Sequence, residues 1–127
     1  MVNGNKSAGR KKPSQNEHQL QVSCVKWFHA NYHQYAEMLF AIPNGGQRNI
    51  IVASKLKAEG VKPGIPDLML AVPLKGFNGL FIELKVGKNT TSEHQVRMIN
   101  NLRKQGYQCK VVYDLQQFMS ATNEYLI

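Results

Sequence analysis

The sequence predicts an α/β fold, a central mixed β-sheet flanked by helices, and three observations predict it. Short apolar runs of strand length lie near the middle of the chain, over 68–72 and 80–86. Segments with one-sided apolar stripes at helical spacing surround them. Between the two runs, 73–79 supplies Pro73, Gly76 and Gly79, a turn that lets the runs pair as an antiparallel hairpin. The predicted order is αβαββαβα, without internal repeats.

Ser14-Gln15-Asn16-Glu17 fits the Ser-x-x-Glu capping box, so a helix is expected over 15–32, with Leu20, Cys24, Trp27 and Phe28 on its apolar side. A strand follows over 36–42, then a loop over 43–47 containing Asn44-Gly45-Gly46, and a short helix over 48–59. Strands are expected over 67–72 and 80–86. Ser92-Glu93-His94-Gln95 repeats the capping pattern ahead of Val96, Ile99 and Leu102, which places a helix over 92–105. A strand over 108–113 and a helix over 114–121 complete the order.

At 127 residues and 43% hydrophobic, the chain suits one domain with one core over 15–127, behind a disordered basic arm over 1–14. No stretch nears the roughly 18 apolar residues of a membrane span, and the polar, basic amino terminus is not a secretory signal. A soluble cytoplasmic protein is expected. Cys24 and Cys109 are too few and too far apart for a disulfide scaffold or a zinc knuckle and read as buried thiols. His29 and His33, four apart, lack a third ligand nearby and read as solvated surface.

Sixteen basic against eight acidic residues give a net charge of +8, which points to nucleic acid as the partner. Lys6, Arg10, Lys11 and Lys12 precede the first acid, Glu17, while Arg48, Lys55, Lys57 and Lys62 flank the approach to Asp67. Lys11, Lys12, Arg48, Lys55, Lys57 and Lys62 are the expected DNA contacts. Such a surface predicts binding that falls steeply with salt.

The residues that point to chemistry are Asp67, at the head of one apolar run, and Glu83 and Lys85 in the next. Side chains two apart on a strand share a face, so Glu83 and Lys85 point together with Phe81 toward a cleft, while Leu80, Ile82, Leu84 and Val86 face the core. The hairpin register brings Asp67 beside them. Two converging carboxylates repel and resist burial unless a cation neutralises them. Mg²⁺, which takes one or two carboxylates and keeps several waters for substrate phosphates, does that. The plainer alternative is a surface hairpin with a salt bridge.

Pro66-Asp67 followed by Glu83-Leu84-Lys85 resembles the PD-(D/E)XK nuclease signature, and its surroundings resemble the VRR-NUC branch. The resemblance runs from about Glu17 to Val112 and takes in Gln21, Pro43-Asn44-Gly45-Gly46, 60–67, Ser92-x-x-Gln95 and Gly106-Tyr107. It implies a restriction-endonuclease-like fold and a small Mg²⁺- or Mn²⁺-dependent endonuclease working as a homodimer on branched DNA such as four-way (Holliday) junctions. It makes Asp67 and Glu83 the metal ligands, with the Leu84 carbonyl as a backbone ligand, Lys85 the catalytic lysine, Glu17 a helix-borne acid supporting the metal directly or through water, and Gln95 a glutamine beside the lysine. The residues alone favour helix capping for Glu17 and Gln95. The resemblance shifts Glu17 to the metal site and leaves Gln95 with either role or both.

Two further readings stand beside a junction-resolving nuclease: a nucleic-acid-binding module with structural carboxylates, and a nuclease subunit active only with a partner. No phosphate-binding Gly-x-x-x-x-Gly-Lys-Ser/Thr loop is present. Apolar residues near the carboxyl end, Phe118, Met119, Tyr125, Leu126 and Ile127, could serve a dimer contact or pack within their own chain.

Overall fold

The computed structural model describes residues 16–43 and 50–127. The arm expected over 1–14, with Lys11 and Lys12, and residues 44–49, with Arg48, lie outside the described residues. The elements are α1 (Glu17–Asn31), a 3₁₀ helix (His33–Met38), β1 (Leu39–Ala41), α2 (Ile50–Ala58), β2 (Leu68–Leu70), β3 (Leu80–Leu84), α3 (Glu93–Lys104), β4 (Gln108–Val112) and α4 (Leu115–Leu126). The sheet order is β1-β2-β3-β4, with the first two pairings antiparallel and β3–β4 parallel. The parallel pair needs a crossover, and α3 provides it.

The two faces of the sheet are packed differently. Leu68, Leu70, Leu80, Ile82, Leu84 and Val112 lie in one cluster with Leu20, Cys24 and Phe28 of α1 and Phe118, Ala121 and Tyr125 of α4. On the other face, Phe81 and Cys109 pack with Ile99 of α3, flanked by Met69, Leu102 and Tyr107. Both cysteines are free and buried, as expected, and burial raises the Cys24 thiol to about 12 and the Cys109 thiol to about 11. His29 and His33 are exposed.

Four local expectations are corrected. The strand expected over 36–42 is a 3₁₀ helix to Met38 and then only three strand residues, because β1 has only Leu68–Leu70 of β2 to pair with. The first helix is capped by Asn16 rather than Ser14. Asn16 Oδ1 accepts from the Gln19 N–H at 2.8 Å and Gln19 Oε1 accepts from the Asn16 N–H at 3.0 Å, so Asn and Gln close the box and Glu17, at the first helical position, is outside it. β3 is not half open: all five of its residues are buried, because α3 covers the face that carries Phe81. The last helix runs five residues beyond 121, to Leu126, since Tyr125 has a core position to fill.

That last helix is tied across the molecule by one polar contact. The buried Tyr125 hydroxyl donates to the Val72 carbonyl at 2.6 Å, beyond the end of β2. Removing a buried donor leaves its acceptor unsatisfied. Tyr125→Phe is therefore expected to lower the unfolding free energy by about 1–2 kcal/mol, read as a lower urea midpoint with an unchanged slope.

Candidate active site

The register of the hairpin builds the site. Leu68 is paired with Ile82, so the next residues outward, Asp67 and Glu83, stand opposite each other where β2 begins. Both have the parity of Met69 and Phe81 and lie on the α3 side of the sheet. Asp67 Oδ2 accepts from the Leu84 N–H at 2.7 Å, which ties the aspartate to the neighbouring strand. In an extended strand a residue's N–H and C=O point to the same side. The Leu84 carbonyl is thus directed to the side where Asp67 lies.

Glu83 is held from two directions. Its Oε2 accepts from the Gln95 amide at 2.8 Å and lies 3.6 Å from the Lys85 ammonium. Gln95 in turn is fixed by its cap: its Oε1 accepts from the Ser92 N–H at 2.8 Å, while its own N–H donates to Ser92 Oγ at 3.2 Å. Gln95 therefore keeps the capping role and also reaches the site, through Glu83. One end of its amide closes the capping box, and the other orients a carboxylate.

The electrostatics are those of a site short of positive charge. Glu83 is only 2% exposed, and among the described residues its Oε1 is the buried side-chain oxygen or nitrogen without a hydrogen-bond partner. Burial, and then the Asp67 carboxylate, push its pKa up to about 8, against the pull of Lys85. Asp67 is raised too, chiefly by burial, with the Leu84 N–H opposing and Glu17 adding repulsion. A divalent cation between the two carboxylates would offset both penalties and give the bare Oε1 a partner. The residues present fit such an ion.

Glu17 is half-buried at the start of α1, close enough to be felt by both carboxylates. Among the described residues, however, no three His, Cys, Asp or Glu side chains gather to hold a metal ion. The direct donors on offer are two carboxylates and one backbone carbonyl. Lys55, Lys57 and Lys62 are exposed, on α2 and the segment that follows it.

A residue whose role was not legible in the sequence is Gly64. It has φ of +82°, and a Cβ there would lie 2.4 Å from the His94 carbonyl oxygen and 2.9 Å from the Gln95 nitrogen. The loop leading to Asp67 is thus pressed onto the backbone of the first turn of α3, the turn that carries Gln95. The signal was the glycine of Gly64-Ile65-Pro66-Asp67, but what it packs against is a tertiary fact.

The family model described as the VRR-NUC domain matches residues 7–114. A solved structure described as a VRR_NUC domain protein shares the fold at a TM-score of 0.78 and 24% identity, over 91% of each chain. No curated protein matches the chain. The chain belongs to the VRR-NUC domain family and carries a nuclease domain of the restriction-endonuclease-like type.

Two outcomes follow from the packing and the charge. Gly64→Ala adds a methyl group where backbone already stands, on a φ that alanine resists, so a loss of roughly 2 kcal/mol or more is expected in denaturant titration. Glu83 has a raised pKa, so its contribution to stability is present below its ordinary value of 4.5 and is lost as pH rises through about 8. Wild type should therefore lose stability relative to Glu83→Gln over that window, by a few kcal/mol at about 1.4 kcal/mol per unit. Adding Mg²⁺ at the alkaline end should restore wild type and not the variant. Parallel melting curves would contradict this.

Proposed function

We propose that this member of the VRR-NUC family is a Mg²⁺- or Mn²⁺-dependent endodeoxyribonuclease that hydrolyses phosphodiester bonds in branched DNA, four-way junctions foremost, as a homodimer. The observation that carries the reading is the Asp67–Glu83 pair, Glu83 buried and Asp67 half-buried, with one glutamate oxygen lacking a hydrogen-bond partner among the described residues and Lys85 alongside. A purely structural pair has no reason to leave that oxygen bare.

In this reading Asp67 and Glu83 hold the ion, helped by the Leu84 carbonyl, and Glu17 supports it through a water. A bound Mg²⁺ or Mn²⁺ supplies positive charge at the phosphoryl oxygens and acidifies water. Gln95 keeps the Glu83 carboxylate aimed by donating to Oε2. Lys85 orients the attacking water and offsets the negative charge that builds on the phosphoryl group. The water gives up a proton to solvent as its oxygen bonds to phosphorus, the bond from phosphorus to the leaving sugar oxygen breaks, and that oxygen takes up a proton from solvent.

The basic residues serve approach. Lys55 and Lys57 on α2, with Lys62 after it and with Lys11, Lys12 and Arg48, would neutralise backbone phosphates as the DNA nears the carboxylates. The homodimer follows from substrate symmetry, since a four-way junction has an approximate two-fold axis. Phe118 and Tyr125 do not supply its contact, because they are committed to their own core. A monomer by sedimentation at micromolar concentration would remove this element of the reading.

The test is incubation of the protein with a labelled four-way junction, a flap and plain duplex. Cleavage is expected with Mg²⁺ or Mn²⁺ and not with chelator, and Asp67→Ala and Lys85→Ala should each slow it by at least roughly a hundredfold. Cleavage indifferent to chelator and to both substitutions would assign the chemistry elsewhere.

A further inference from the structure

Helix α2 opens on three consecutive exposed large apolar residues, Ile50, Ile51 and Val52. It reads Ile50-Ile51-Val52-Ala53-Ser54-Lys55-Leu56-Lys57-Ala58, and none of its residues is buried. Ile50 is 83% and Ile51 72% exposed; among the described residues, only Ile127 at the carboxyl end is a more exposed large apolar side chain. Two adjacent isoleucines in water carry a standing hydrophobic cost, which a binding partner would remove.

The charges say which kind of partner fits. Both charged residues of α2 are lysines, and the only acid in the turn that follows is Glu59. Ile51 and Lys55 are four apart and Ile50 and Lys57 seven apart, so each isoleucine shares a helical row with a lysine. A second copy docking here by two-fold symmetry would set the patch against itself and crowd four lysines into one contact. A polyanion with flat apolar faces suits the same surface without that conflict. DNA with accessible bases has both properties.

The helix also ends beside the proposed site. The Val61 N–H donates to the Leu56 carbonyl at 2.9 Å, folding the chain back after α2. A groove there is lined by Glu59, Gly60, Val61 and Lys62 together with Ile42, Pro43 and Ile65. The Ile42 N–H donates to the Asp67 carbonyl at 2.9 Å, so a residue lining the groove is bonded directly to the proposed metal-ligand residue.

We propose that α2 is a wedge for unstacked DNA: Ile50 and Ile51 pack on base faces at a branch point or unpaired step, while Lys55 and Lys57 hold the flanking phosphates. Apolar side chains inserted at base steps unstack them, which costs energy in an intact duplex and little where bases are already unpaired. The wedge thereby selects branched over plain DNA, and the lysines bind both alike. This inference rests on the reading of the chain as a DNA-cleaving nuclease.

The experiment is binding by fluorescence anisotropy in chelator, so that cleavage plays no part, with a four-way junction and a plain duplex of equal length. The double variant Ile50→Ser/Ile51→Ser changes only exposed side chains, and an unchanged melting curve confirms its fold. Its junction affinity should fall ten- to a hundredfold while duplex affinity changes by less than about threefold. A 2-aminopurine placed at the branch should brighten on binding wild type and not the variant. Equal losses on both DNAs, or no loss on either, would overturn the wedge. So would a shift from dimer to monomer in sedimentation with loss of both affinities, which would give the surface to a second copy. If wild type discriminates between the DNAs in chelator but cleaves neither with metal, the catalytic reading fails and the wedge stands.

Discussion

A carboxylate taken out of water must be compensated by its neighbours, and the compensation of Glu83 organises this molecule. Its burial comes from being the fourth residue of a fully covered strand, and its nearest acid, Asp67, is set opposite it by the hairpin register. The protein supplies one amide and one ammonium to one of its two oxygens. The remaining charge deficit matches what a divalent cation provides, and this supports the proposed catalytic centre, kept at the expense of stability, over a structural ion pair.

The surrounding elements can be understood as holding that pair still. Asp67 is fixed by the backbone of the neighbouring strand through Leu84, and Glu83 is fixed by the first turn of α3 through Gln95. Gly64 then locks the two supports together, because only a residue without a side chain lets the loop before Asp67 touch the backbone at His94. The capping box of α3 thus does more than start a helix. By spending its glutamine oxygen on the Ser92 N–H, it leaves the amide hydrogens for Glu83.

How much of this was legible in the sequence depended on whether the information was local. The alternation in 80–86 and the Pro and Gly residues between the runs were enough to place Asp67 beside Glu83 and Lys85, since the period of a strand and the geometry of a hairpin are local rules. The Ser92–Gln95 box was readable for the same reason. At the other end of the chain, the expected Ser14–Glu17 box gave way to Asn16 with Gln19, and nothing local decides between two good caps only two residues apart. The length of β1 depended on how much of β2 was available to pair, and the covering of Phe81 depended on where α3 returned. Both are tertiary outcomes. The exposure of Ile50 and Ile51 was invisible for the same reason: their composition looks like core, and only the fold shows that no core is there.

The central claim is that Asp67, Glu83 and the Leu84 carbonyl converge on one divalent ion. The most direct measurement is anomalous diffraction from a crystal of the protein grown or soaked with manganese. A single strong peak between the two carboxylates, within roughly 2.0–2.4 Å of an oxygen from each by analogy with hard-cation sites, is the result expected. A well-diffracting crystal with no peak there, or with manganese bound only elsewhere, would contradict it.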